Sequence, residues 1–189
     1  SLYKKVKWIY GPVAEINSSR AEISRFDPEV LIHLAWEGIP NYSLDICLGN
    51  LHDSINFIDF VNATTDCRKI ISAGSCLEYG KQIGECRESD QTVITSPFVW
   101  AKRGIFRYLE YSQNKCGHNL VWLRIFYVYG AGQRRGSLIP SVISSLKHGK
   151  EPIISAPQNQ NDFINIKDVA RAFILMVDRQ VESVIYNLG

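Results

Sequence analysis

The stretch KIISAGSCLEYG (residues 69–80), followed after a polar loop by SPFVWAK (residues 96–102), decides how the rest of the chain is read. An apolar strand over Arg68–Ala73 leads into the small-residue turn Gly74-Ser75, which presents a hydroxyl at the strand end. Ser96 is an expected N-cap and Pro97 suits the first helical turn, so a helix starts there and runs to about Lys115, with Gly117 as its stop. Ala101, Ile105, Tyr108 and Leu109 form its inner stripe. Phe98 and Lys102 are four residues apart, one helical turn, and face the same way. The polar segment 80–95 between strand and helix reads as a surface loop beside the C-terminal edge of a sheet.

Working towards the N-terminus, Ser43–Asn62 is helical, with Leu44, Leu48, Leu51, Ile55, Ile58 and Val61 recurring at spacings of three and four. Before it, Glu29–Trp36 is a near-continuous apolar run of the kind buried on both faces of a parallel sheet, and residues 37–41 form a loop. Ser18–Phe26 is a short helix with Ser18 or Ser19 as N-cap and Glu22 near the capping-box position, ended by Asp27-Pro28. Val6–Tyr10 is expected as a short strand. Towards the C-terminus come a strand over Asn119–Phe126, a glycine-rich basic loop over residues 127–136 and a helix over Ser137–His148. A short strand follows over Pro152–Ser155, then a loop and an extended piece over Asp162–Ile166. Asp168 is expected to cap a helix that buries Val169, Ala172, Phe173 and Met176, before a last strand over Val184–Leu188. Strands alternating with helices predict an α/β fold with a mostly parallel sheet in a single domain over residues 1–189.

Composition narrows the function classes. The chain is 46% apolar and carries 21 basic and 19 acidic residues in 189, with no run of five or more like charges, so charge implies neither nucleic acid nor a membrane surface. The apolar runs are strand-sized and predict no membrane span, and the first residues lack the apolar core of a signal peptide. Five cysteines, none at C-x-x-C spacing, fit reduced thiols in a cytoplasmic protein, and four scattered histidines form no metal-ligand pattern. His33, inside an apolar strand, reads as a hydrogen-bonded core histidine.

Several short motifs then occur in order: Ile32-His33-Leu34-Ala35, Gly49-Asn50, Ser75 with Tyr79-Gly80, Ser96-Pro97 with Lys102, Leu123-Arg124 and Val128-Tyr129-Gly130. Gly149 with Pro152-Ile153, and Asp162-Phe163 with Asp168-Val169-Ala170, complete the series. In this order, over roughly residues 25–189, the chain resembles the extended short-chain dehydrogenase/reductases, specifically the NAD-dependent epimerase/dehydratase group that acts on nucleotide sugars. The resemblance implies a Rossmann-like, doubly wound, mostly parallel sheet, with residues 127–166 contributing to a small substrate lobe. It also implies that the first glycine-rich βαβ unit, for which no G-x-G-x-x-G or G-x-x-G-x-x-G is found here, lies before Ser1, and that part of the substrate lobe lies beyond Gly189. The chain then reads as a fragment of a longer protein, with a degenerate gene as the alternative.

The implied cofactor is NAD or NADP, with Leu34, Ala35, Asn50, Ser75, Lys102 and Phe126 as cofactor-binding positions. The implied partner is a nucleotide sugar, met by Tyr79, Tyr127, Gln133 and Arg134, and a homodimer through the two long helices is an open expectation. The catalytic positions are Ser75, Phe98 and Lys102. In the family a tyrosine at the position of Phe98 exchanges the proton of a sugar hydroxyl, its pKa lowered by the lysine and the oxidised nicotinamide. Phenylalanine has no such atom, so two expectations stand side by side: an epimerase or 4-ketosugar reductase, or a relative that binds cofactor or nucleotide sugar without catalysis. A 4,6-dehydratase is disfavoured, because Cys76 and Leu77 occupy the positions of that subclass's acidic pair, and Glu78, one residue later, receives no catalytic role. Tyr127 replaces a common diphosphate-contacting asparagine and Asn161 a common arginine.

Overall fold

A computed structural model describes residues 6–81, 84–180 and 184–189 of the chain. Four strands, β1 (Val30–His33), β2 (Lys69–Ser75), β3 (Asn119–Ile125) and β6 (Ile185–Leu188), form one sheet in the order β1-β2-β3-β6, every neighbour parallel. The β2–β3 register runs from Lys69 opposite Asn119 to Ser75 opposite Ile125. Two further strands, β4 (Tyr127–Tyr129) and β5 (Phe163–Asn165), make a separate parallel pair just beyond the end of β3. The helices are α1 (Arg20–Phe26), α2 (Leu44–Thr64), α3 (Pro97–Cys116), α4 (Leu138–Lys147) and α5 (Ile166–Asp178).

The apolar runs explain the layering. Side chains alternate across a strand, so a run without polar interruptions feeds two cores. Ile70, Leu120 and Trp122 point to one face, where they meet Ile58 of α2 and Ile105, Phe106 and Leu109 of α3. Ile71, Val121 and Leu123 point to the other face, where they meet Val169 and Phe173 of α5. This is the α/β, doubly wound, Rossmann-like arrangement the motifs imply, and it aligns the carboxyl ends of four strands along one edge.

Several local expectations are corrected. Residues 6–10 take no regular secondary structure, because an extended run becomes a strand only where a neighbouring ladder accepts its backbone groups. Pro152–Ser155 likewise forms no strand: Pro152 lacks a donor, and Ile153 is 93% exposed. The first three residues of the expected loop 127–136 are β4. Ser19 holds the N-cap position of α1 without a side-chain bond, and Glu22 pairs with Lys7 instead of reaching back to the cap. Asp168 is not the N-cap of α5. That role belongs to Asn165, whose Oδ1 accepts from Lys167 N at 3.0 Å, while Asp168 sits in the first turn and pairs with Arg171. His33 is buried as expected, but among the described residues its Nε2 has no hydrogen-bond partner.

Candidate active site

Lys102 is set by the start of α3. The Ser96 hydroxyl accepts from Val99 N and Pro97 occupies the first turn, which fixes the phase of the helix and turns Phe98 and Lys102 inward. Lys102 is 6% exposed, and its Nζ donates to Ala73 O of β2 at 2.9 Å. The ammonium lies 4.5 Å from the Trp36 ring and 5.9 Å from the Phe98 ring, a cation–π arrangement. Burial lowers its pKa to about 8, opposed only in part by the charge of Glu78. An ammonium has three donors and one is committed to Ala73, so the amine keeps donor capacity towards the site.

His33, at the end of β1, faces the same amine. Burial and then the Lys102 charge lower its pKa to about 4, so the ring is neutral at physiological pH. Its Nε2 and the Nε1 of Trp36 are both buried without a hydrogen-bond partner. Buried polar groups are normally paired, so these two nitrogens beside a buried amine call for a partner that the described residues do not supply.

Phe98, 7% exposed, is held between two rings. Trp36 meets it edge-on at 4.8 Å and 75°, and Tyr42 lies tilted over it at 4.8 Å and 54°. The loop that carries Trp36 and Tyr42 is pinned to α2 by Asn50, whose Oδ1 accepts from Glu37 N at 2.7 Å and whose Nδ2 donates to Glu37 O and Ile46 O. The polar atoms of Asn50 thus shape the wall of a 250 Å³ cavity lined by Ala35, Trp36, Gly49, Asn50 and Asp53. Leu34 is 56% exposed just before that wall.

Ser75 ends β2 in a capping box: its Oγ accepts from Leu77 N at 3.2 Å, and its backbone N donates to Glu78 Oε1 at 2.9 Å. Glu78, the residue given no role from sequence, is wholly buried. Its Oε1 also accepts from Trp122 Nε1 at 2.9 Å, and its Oε2 from Arg124 Nε at 3.2 Å. Arg124 continues the network through NH1 to the Tyr79 hydroxyl at 2.7 Å, and that hydroxyl donates to Asn187 Oδ1 at 2.7 Å. Asn187 in turn donates from Nδ2 to Cys86 O. A buried, mutually paired carboxylate and guanidinium thus lock together the carboxyl ends of β2, β3 and β6. Leu123-Arg124 is among the motifs quoted above, but nothing local to either residue shows that Arg124 pairs with Glu78.

This lock also forms the floor of a second cavity, of about 280 Å³, lined among others by Cys76, Tyr79, Phe126, Tyr127, Asp162 and Asn187. Phe126 stacks 6.4 Å from Tyr79. Burial raises the Tyr79, Tyr127 and Cys76 pKa values, the last to about 11, so all three are neutral at pH 7. Lys102 reaches the strand two residues before Ser75, and Cys76, one residue after it, lines the second cavity. Gln133 donates to Val128 O at 3.0 Å and Arg134 is exposed, and neither lines the two cavities. Phe98 and Lys102 meet Trp36, which lines the first cavity with Ala35 and Asn50; Ser75 lies two residues past the carbonyl that holds Lys102, and Tyr79, Phe126 and Tyr127 line the second cavity. Trp36 and Tyr42 were not singled out from sequence; aromatic residues in the loop after a parallel strand were the one available signal.

The sequence profile described as "NAD dependent epimerase/dehydratase family" matches residues 2–189. The chain is 28% identical over 177 residues to dTDP-4-dehydro-6-deoxyglucose reductase of Escherichia coli, a match covering 88% of this chain and 55% of that protein. The solved UDP-N-acetylglucosamine 4-epimerase from Methanobrevibacter ruminantium, in complex with UDP-N-acetylmuramic acid, superposes with a TM-score of 0.84 at 25% identity, covering 96% of this chain and 60% of that one. A tyrosine-to-phenylalanine mutant of UDP-glucuronic acid 4-epimerase from Bacillus cereus, in complex with UDP-4-deoxy-4-fluoroglucuronic acid and NAD, superposes with a TM-score of 0.82 at 20% identity, covering the whole of this chain and 61% of that one. The chain thus spans a little over half the length of these relatives. Sequence profile, relatives and strand-edge geometry agree: the chain belongs to the NAD-dependent epimerase/dehydratase family.

Proposed function

We propose that this protein acts on a nucleotide sugar with a bound nicotinamide dinucleotide, NAD or NADP, as a 4-ketosugar reductase or epimerase whose usual tyrosine position holds Phe98. The observation that carries this reading is Lys102, buried at the carboxyl end of β2 with donor capacity to spare, beside the orphaned Nε2 of His33 and Nε1 of Trp36. Lys102 Nζ and Trp36 Nε1 donate, and the neutral His33 ring adds an Nε2 whose role follows its tautomer, a set that fits a group rich in hydroxyls, such as a nicotinamide ribose. When bound, the dinucleotide supplies or accepts the hydride. Lys102 holds the ribose hydroxyls, and the Ser75 Oγ, which already accepts from Leu77 N, turns its own proton to the sugar oxygen. Ala35, Leu34, Asn50 and Phe126 form the cofactor wall, and Tyr79 and Tyr127 face the nucleotide sugar from the second cavity.

Residues 127–166 contribute to the substrate lobe in this reading, and Gln133 and Arg134 approach the diphosphate from the loop after β4. A homodimer would form on the outer faces of α2 and α3, where Leu48, Trp100 and Tyr111 are exposed. The 28% identity to a dTDP-4-dehydro-6-deoxyglucose reductase favours a 4-keto-6-deoxy sugar as substrate.

The second reading is a relative that binds these molecules without turnover, and Phe98, which has no titratable atom, favours it. Mixing the full-length protein with dTDP-4-dehydro-6-deoxyglucose and reduced nicotinamide dinucleotide, and following absorbance at 340 nm, separates the two. Oxidation of the dinucleotide, with a reduced dTDP-sugar as product, supports the reductase. Calorimetric binding of both ligands without oxidation supports the second reading. Binding of neither overturns both.

A further inference from the structure

We propose that Tyr42 supplies the phenol that position 98 lacks, serving as proton donor and acceptor for the sugar oxygen. This rests on the oxidoreductase reading above. A ketone that gains a hydride must also gain a proton, and the site has few groups able to give one. Phe98 has none. The Ser75 hydroxyl is not acidic enough to give up a proton alone, the Lys102 amine is assigned to the ribose hydroxyls, the Tyr79 hydroxyl is engaged by Arg124 and Asn187, and Tyr127 stands in the second cavity, whereas Tyr42 touches Phe98 itself.

Tyr42 lies on the Phe98 ring itself, centroid to centroid 4.8 Å, so its ring belongs to the same aromatic cluster that covers Lys102. Phe98 is 7% exposed and Tyr42 is 39% exposed, so of the two rings it is Tyr42 that a solute can reach. Its loop is held at several points. Asn50 pins Glu37 through both backbone groups, Asn41 N donates to Gly38 O at 2.6 Å, and the Asn41 side chain accepts from Ser43 N at 3.0 Å. Tyr42 sits between those last two anchors, directly before α2. The Tyr42 ring is thus held by a tethered loop against the ring next to the buried amine, and its hydroxyl is assigned to the sugar oxygen.

In the reducing direction the Tyr42 O–H bond breaks and its proton passes to the sugar carbonyl oxygen. The carbonyl carbon takes a hydride from the reduced nicotinamide, which is left oxidised. The C=O π bond is replaced by C–H and O–H bonds, the phenol oxygen keeps its electron pair as a phenolate, and solvent returns a proton to that oxygen. Oxidation runs the same steps backwards.

Tyr42→Phe removes a single oxygen atom and keeps the ring packing on Phe98. The test compares wild type, Tyr42→Phe, and the double variant Tyr42→Phe with Phe98→Tyr in the full-length protein. Three quantities are measured: NAD affinity by calorimetry, turnover of dTDP-4-dehydro-6-deoxyglucose, and the ring resonances of 13C-labelled tyrosine. The expected result is NAD affinity within twofold across the three, a turnover loss of about a hundredfold or more in Tyr42→Phe, and recovery in the double variant. The Tyr42 resonance, assigned by its loss in the variant, is expected to shift when NAD and the dTDP-sugar are added. Wild-type turnover retained by Tyr42→Phe, or a Tyr42 resonance unmoved by both ligands, overturns the assignment while leaving the oxidoreductase reading in place. A wild type that binds both ligands and never turns over overturns it too, in favour of the binding-only reading. A wild type that binds neither fails the functional reading itself.

Discussion

At His33 and Lys102 burial sets the protonation of two facing groups. His33 has its pKa lowered to about 4, first by burial and then by the Lys102 charge, whereas in the unfolded chain it titrates near 6.5. The unfolded state therefore binds the extra proton between those values. Stability is fully present above pH 6.5 and is lost as pH falls towards 4, by up to about 3 kcal/mol from this residue. Urea melts at pH 7, 5 and 4 check this: His33→Asn is expected to flatten the pH dependence, and an unchanged slope contradicts it. A second residue-scale constraint sits at Gly74. A Cβ there would come within 2.7 Å of Glu78 Oε1 and against the Trp122 indole, across the hydrogen bond that joins them. Gly74→Ala should therefore destabilise by about 1–3 kcal/mol, read as a lower urea midpoint. Sequence marks Gly74 as a turn glycine, whereas it lies inside β2 opposite Arg124. Sequence could not supply this reason, because Trp122 and Glu78 reach it from two other parts of the chain.

Elements were legible where the pattern was local and strong. The spacing of Leu48, Leu51, Ile55 and Ile58 gives α2, and Ser96-Pro97 gives the start of α3 to the residue. Boundaries failed where tertiary partners decide them: Asn165 rather than Asp168 caps α5, and residues 152–155 have no ladder to join. The far end of α5 depends on a residue distant in sequence. Lys69 of β2, 9% exposed, donates from Nζ to Met176 O, Val177 O and Arg179 O at 2.8–2.9 Å, satisfying carbonyls that the helix leaves open and placing a cation at the negative end of its dipole. Lys69→Met keeps the apolar stem and removes the donors. It should cost about 1–3 kcal/mol and speed amide exchange in the last turn of α5. Exchange in that turn at the wild-type rate would show that the lysine is not what holds it.

For the molecule as a whole, the fold was legible because apolar runs on β2 and β3 feed two cores, and a sheet buried on both faces leaves few topologies open. The site was legible only in outline. Ser75, Phe98 and Lys102 come from one stretch of chain, whereas Trp36, Tyr42 and the Glu78–Arg124 lock meet them through long-range packing that no motif records. In the proposed function this strand edge holds a dinucleotide, with Lys102 at its centre. The most direct test is calorimetric titration of NAD into the full-length protein and its Lys102→Met variant, with circular dichroism confirming that both are folded. The account predicts saturable binding by wild type and at least a tenfold weaker affinity in the variant, about 1.4 kcal/mol or more. Equal affinity in the two proteins, or no binding by wild type, would contradict it.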